Sequence, residues 1–228
     1  MGDQKTSALV QNHLKGFIGI SPIGHISDVP TKAKRIYSLL SYYLPYRNYI
    51  SMNYPYLSSR SSNLFKRFVK NVCSYLSFIC EGILAIPGLS SENNRVELIP
   101  RLLEILPGGA SFRSYEHFRQ LSLIDGEVPV LRRFDFGTAE NIRRYNQPVP
   151  PDYDYSLVQV PLYFHSGEGD ILVSKKSLER LSDYIQSLGK LAFTRFHKNW
   201  DHFSIIASPD PSEFHDSILK DLDAIEAA

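Results

Sequence analysis

From residue 158 onward the chain alternates strand, helix, strand, helix, and few architectures accept that order. Val158 to Phe164 reads as a short apolar strand. Ser174 to Leu188 reads as a helix with Leu178, Leu181, Ile185 and Leu188 on one face and Gly189 as its stop. Leu191 to Phe196 is the next strand, and His197 to His202 the loop after it. Asp210-Pro211-Ser212-Glu213 forms a capping box with Pro at the first helical position. It opens a last helix carrying Phe214, Ile218, Leu222 and Ile225. Strand, helix and strand in one sheet make a parallel, right-handed crossover. This part is therefore predicted to be the edge of a doubly wound α/β sheet.

Upstream the pattern is broken. Residues 8–14 read as the end of a helix, and Lys15 to Ile20 as a buried parallel strand stopped by Ser21-Pro22-Ile23-Gly24. From about 28 to 107 there is no strand pattern. Leu64, Phe65, Phe68, Val69, Val72, Leu76, Ile79 and Ile83 mark a long apolar helix there, so this stretch is predicted to be a helical insert or cap. Phe112 to Leu123 reads as a helix, Val130 to Phe136 as a strand, and 146–155 as a Pro-rich extended connection.

Composition narrows the function classes. The 228 residues include 43% hydrophobic side chains, enough for a core and against disorder as the main state. Lys plus Arg number 25 and Asp plus Glu 24, a net charge of +1 that gives no footprint for nucleic acid. The most apolar stretch, Val72 to Leu89, is interrupted by Glu81 and Pro87, so no transmembrane segment is expected. No basic n-region and apolar h-region open the sequence, so no signal peptide is expected in it. Cys73 and Cys80 lie about 10 Å apart along one regular helix, too far for a disulfide unless the helix breaks between them. They leave the redox compartment open. The seven His residues form no His-x-x-x-His pair, and there is no Cys-x-x-Cys and no Gly-rich phosphate loop. Neither metal nor cofactor is expected.

In open parallel sheets, function sits beyond the carboxyl ends of the strands. Two loops there carry titratable groups: Glu168 and Asp170 in the first, His197, Asp201 and His202 in the second. An acid after one strand and a His after the next is the α/β-hydrolase order of nucleophile, acid, histidine. Asp170 fits the acid and His202 the general base, with Gly167 and Gly169 letting the acid loop turn tightly. The plainer alternatives are a turn-forming Asp and a helix-capping His. No Gly-x-Ser-x-Gly pentapeptide occurs. Gly19-Ile20-Ser21-Pro22-Ile23-Gly24 is a near miss, because Pro22 has no N–H to offer an oxyanion. Ser21 is accordingly not read as a nucleophile, and Ser111 and Ser166 lack the elbow context.

Several motifs resemble the gastric and lysosomal acid lipases. Arg133-Phe134-Asp135-Phe136-Gly137-Thr138-Ala139-Glu140-Asn141 is similar to that family's aromatic-Asp-aromatic-Gly-Ser-Pro-x-x-Asn signature. Tyr145-Asn146-Gln147-Pro148-Val149-Pro150-Pro151-Asp152-Tyr153 is similar to its Tyr-Asn-Gln-x-x-Pro-Pro-x-Tyr segment. Ser166-Gly167-Glu168-Gly169-Asp170 resembles its Ser-Gly-Gly-Asn-Asp acid loop, and Asp201-His202-Phe203 its Asn-His-Leu-Asp-Phe ending. More weakly, Lys15 to Ile23 resembles the strand and Ala-Pro turn after the family's nucleophile helix, and Phe65 to Leu84 its apolar cap helix.

The resemblance implies a partial α/β-hydrolase fold: 1–27 a piece of the core, 28–107 a helical cap or lid, and 108–228 the C-terminal core with acid and histidine. It implies a lipase-type ester hydrolase of triacylglycerols or cholesteryl esters, secreted or lysosomal, with a lipid interface. Asp170 and His202 would serve a Ser from an elbow lying upstream of Met1, so the chain by itself is expected to be inactive. The second reading is a non-catalytic lipid-binding or interaction protein derived from a lipase; a third is a partial gene product. Oligomeric state is not indicated.

Overall fold

The computed structural model describes residues 4–11, 13–24, 71, 72, 75, 94, 112–124, 126 and 128–227. The expected cap at 28–107, with Cys73 and Cys80, lies outside the described residues except for Asn71, Val72, Tyr75 and Asn94. Helix α1 spans Gln4–Gln11 and strand β1 Phe17–Ile20. Helices α2 and α3 span Phe112–Ser122 and Thr138–Tyr145. Then come β2 at Leu162–Gly167, α4 at Lys175–Ser187, β3 at Ala192–His197, the short α5 at Ser204–Ala207 and α6 at Ser212–Ala227.

The sheet is parallel throughout, in the order β1-β2-β3. Every residue of the central strand β2 is buried, so no alternation of polar and apolar residues marks it. Leu162 and Phe164 face α4, which buries Leu178, Leu181 and Ile185 against them, together with Val158, Val160 and Ala192. Each such aliphatic side chain contributes about 1.5–3 kcal/mol of burial. The Ser174 hydroxyl caps α4 through the Ser177 N–H, and Gly189 ends it at φ 72°. The other face of β2 meets α6, through Phe214 and Asp221 against His165. A parallel sheet covered by helices on both faces is the α/β architecture expected. No helix among the described residues is long and apolar enough to cross a membrane.

Three local expectations change. The strand expected from Val158 begins at Leu162, because Asp154 caps a turn of 3₁₀ helix over Tyr155–Leu157 and Pro161 has no N–H for a ladder. Val130 to Phe136 is not a strand: it makes one isolated bridge, Arg132 to Asp152. Its aromatics pack sideways instead, Phe134 on Phe136 with ring centroids 4.7 Å apart. In α6 the inward stripe takes Asp221 where Leu222 was expected; Leu222 is exposed.

Helix α3 explains the aromatic-Asp-aromatic-Gly motif. Asn141 is buried and donates from Nδ2 to Asp135 Oδ1 at 2.7 Å and to the Pro148 carbonyl at 2.9 Å. Its Oδ1 accepts the Phe136 N–H at 2.9 Å. The motif is a structural knot that ties the strand-like segment, α3 and the Pro-rich connection together.

Candidate active site

The two loops predicted to carry chemistry leave the carboxyl ends of β2 and β3, side by side. Their backbones are stitched together. Glu168 N–H donates to the His197 carbonyl at 3.0 Å and Gly169 N–H to the Trp200 carbonyl at 2.8 Å. A Cβ at Gly167 would overlap the Trp200 carbonyl, and one at Gly169 would lie 3.1 Å from it. Neither glycine has a positive φ. They serve close approach of two backbones, where a tight turn was expected. Gly167→Ala should therefore part the loops and cost roughly 1–3 kcal/mol as forced overpacking. Urea denaturation measures this, and an unchanged midpoint would contradict it.

Asp170 is 3% exposed. Its Oδ1 accepts the Leu172 and Val173 N–H groups, both at 2.9 Å, and its Oδ2 accepts from His202 Nδ1 at 2.9 Å. An ionised carboxylate can only accept, so the network assigns the proton to Nδ1 and leaves Nε2 of His202 with its lone pair. The His202 side chain remains 35% exposed. Burial pushes the Asp170 carboxyl up, but hydrogen bonds from His202, the Val173 N–H and Ser21 outweigh it and hold it below its ordinary range. The Asp170 hydrogen bond lifts His202 above its ordinary value; burial opposes, and the charges of Asp170 and Asp201 add to the rise.

The remaining sequence candidates divide. Asp201 is buried and works on the backbone: its Oδ1 accepts the Phe203 and Ser204 N–H groups at 2.8 and 3.0 Å, while its own N–H donates to Ser204 Oγ at 2.9 Å. The capping role considered for His202 thus falls to Asp201, and the imidazole is free for Asp170. Asn94 donates to Asp201 Oδ2 at 2.9 Å, so one residue of the expected cap reaches the histidine loop. Glu168 is exposed and meets Lys175 at 3.5 Å, away from the pair.

His197 belongs to a second cluster that the sequence reading missed. His165 is fully buried, its Nε2 2.8 Å from Asp221 Oδ2 and its Nδ1 3.2 Å from His197 Nε2. The imidazole rings lie within 13° of coplanar with centroids 5.5 Å apart, the geometry of an in-plane hydrogen bond. Arg195 completes the cluster with Nε 3.0 and 3.1 Å from the two Asp221 oxygens. Burial lowers both histidines, and for His165 it overrides the opposing pull of Asp221. Burial pushes Asp221 up, but Arg195 and His165 win and hold it low. Sequence reading also missed Ser21, whose hydroxyl donates to Asp170 Oδ2 at 2.9 Å.

No family model matches the chain. Among curated proteins, lipase member N of Mus musculus is 26% identical over 144 residues, 62% of this chain and 34% of its own length. Gastric triacylglycerol lipase of Rattus norvegicus is 26% identical over 223 residues, 94% of this chain and 52% of its length. Lipase lipl-3 of Caenorhabditis elegans is 22% identical over 214 residues, 89% and 50% respectively. Among solved structures, an α/β-hydrolase enzyme from a Medee basin deep-sea metagenome library aligns with 95% of this chain and 58% of its own at 13% identity, with a TM-score of 0.36. The chain spans about half the length, or less, of the curated relatives it matches. Across that span its curated homologues are lipases of the gastric type, and the acid-lipase resemblance read in its motifs fits them.

Proposed function

We propose that Asp170 and His202 are the acid and the general base of an ester hydrolase acting on neutral lipids, triacylglycerols or cholesteryl esters. The observation that carries this is the 2.9 Å contact of His202 Nδ1 with a buried, ionised Asp170, which leaves Nε2 open beyond the ends of parallel strands. The lipases among the homologues support the same reading.

In this scheme His202 Nε2 takes the proton of a serine hydroxyl as its oxygen attacks the ester carbonyl. The resulting imidazolium gives that proton to the departing alkoxide, leaving an acyl-enzyme. In the second half Nε2 takes a proton from water, whose oxygen attacks the acyl carbon, and returns it to the serine. Asp170 stays ionised throughout and stabilises the transient imidazolium. The serine belongs in an elbow of the type Gly-x-Ser-x-Gly, which this sequence does not contain. We therefore expect the chain alone to turn over no ester. A secreted or lysosomal setting and contact with a lipid interface are part of the same proposal, in keeping with the gastric relatives.

The test is hydrolysis of a long-chain ester emulsion by the purified chain, alone and with an elbow-bearing segment of a gastric-type lipase joined ahead of it. The expected result is no turnover alone and turnover in the joined protein that needs both Asp170 and His202. Asp170-dependent turnover by the chain alone would overturn the inactivity. Turnover in the joined protein that ignores both residues would overturn their roles.

A further inference from the structure

Ser21 lies just past the end of β1 and is buried. Its backbone has φ 44°, in the left-handed region, although it is neither glycine nor asparagine and precedes Pro22. A pre-proline residue favours extended backbone, so this conformation is strained. Two contacts hold it. The Ser21 N–H donates to the His165 carbonyl at 2.7 Å, and its hydroxyl donates to Asp170 Oδ2 at 2.9 Å. The second contact spans a sequence separation of 149 and joins the end of β1 to the acid loop after β2.

The same Asp170 oxygen receives His202 Nδ1 at 2.9 Å and, more distantly, Ser166 Oγ at 3.4 Å. The other oxygen is saturated by the Leu172 and Val173 N–H groups. Those backbone donors already fix the plane of the carboxylate. The Ser21 hydroxyl is thus not needed to orient it; it competes with His202 for one oxygen's charge. We infer that Ser21 is a positioning residue for the acid–base pair, one whose hydroxyl shares Asp170 Oδ2 with His202 and so limits how tightly the carboxylate holds the imidazole proton.

Donors that converge on one acceptor weaken each other, in contrast to donors arranged in a chain, which reinforce each other. With Ser21 in place, His202 gives up its proton more readily and is a competent base to lower pH. The charged groups that face the His202 ring among the described residues are Asp170 and, from its own loop, Asp201. Both favour the protonated ring, and Ser21 tempers the nearer of them.

This inference rests on reading Asp170 and His202 as a pair, and the experiment separates the two claims. The His202 Cε1–H resonance of the full chain, assigned by its loss in His202→Gln, is titrated by NMR in wild type, Ser21→Ala, Ser21→Gly and Asp170→Asn. Ser21→Ala removes the hydroxyl and keeps the strained backbone; Ser21→Gly removes both. The expected result is a rise of roughly half a pH unit in the His202 midpoint for both Ser21 variants, equivalent to about a threefold change in proton affinity. Asp170→Asn should lower the midpoint. If Asp170→Asn lowers it while both Ser21 variants leave it unchanged or lowered, Ser21 only braces the backbone and the inference fails. If Asp170→Asn also leaves it unmoved, the pair itself is wrong.

Discussion

Asp170→Asn is expected to lower turnover of the elbow-joined protein by on the order of 10⁴-fold at neutral pH. The size follows from which way the new amide must point. The Leu172 and Val173 N–H groups both donate to Asp170 Oδ1, and they require an oxygen there. The asparagine therefore keeps its carbonyl on that side and turns its NH₂ toward His202 Nδ1, 2.9 Å away. An NH₂ can only donate, so Nδ1 becomes the acceptor and the imidazole proton moves to Nε2. The nitrogen meant to take the serine proton is then already protonated. Folding should survive, because the side chain keeps its shape, the Leu172 and Val173 N–H groups keep their acceptor, and the Ser21 hydroxyl can rotate to accept from the new NH₂. Single-turnover kinetics and the His202 tautomer read from imidazole nitrogen shifts check the two halves of the argument. A loss below tenfold, or an unchanged tautomer, would contradict it.

The meeting of Asp170 and His202 was legible in the sequence because local rules placed them in neighbouring loops. Amphipathic spacing in α4, its Gly189 stop and the capping signal at Asp210 set the strand–helix–strand order. Parallel topology then put the titratable loop residues at one end of the sheet. The contact of Ser21 had no such signal. It joins residues 149 apart, and its neighbour Pro22 marked the segment as a broken elbow. The contact comes from side-by-side packing of β1 and β2, which no local pattern encodes.

The buried His165–Asp221 cluster was hidden for a different reason. Central strand β2 is buried on both faces, so His165 shows no polar alternation that would separate it from a solvent-facing residue. Asp221 sits in the run Lys220-Asp221-Leu222-Asp223, which reads as a solvated helix face. A signal was nevertheless present. Phe214, Ile218, Asp221 and Ile225 fall on one helical stripe, and a carboxylate in the middle of an apolar stripe calls for a buried partner. One of the motifs behind the family resemblance is structural: Asn141 and Asp135 tie loops together and lie outside the Asp170–His202 network. The segments that hold Asp170 and His202 carried the resemblance as well, and they alone of these motifs lie in the two loops at the carboxyl ends of β2 and β3.

That cluster dominates the expected response to acid. Asp221→Ala removes the partner of fully buried His165 and the anchor of Arg195, whose side chain is 45% exposed and can turn to water. His165 cannot, so its Nε2–H is left unsatisfied in the core. Breaking a buried pair in this way costs about 3–5 kcal/mol, a large part of the stability of an ordinary domain. Wild type should show a related weakness as pH falls. His165 and His197 have folded values below their ordinary 6.5, so the unfolded chain takes up protons first. Their contribution is full above about pH 6.5 and declines below it, by up to about 1.4 kcal/mol per pH unit for each histidine. His202 runs the other way: its folded value is raised, so its contribution is full below 6.5 and is lost as pH rises through the folded value. The two buried histidines set the sign between pH 5 and 6.5, and the urea midpoint should fall across that window. In Asp221→Ala the midpoint should already be low at pH 7.5. A wild-type midpoint that is flat or rises from pH 6.5 to 5 would mean that the folded protein accommodates a charged His165, with Asp221 strong enough to overcome its burial.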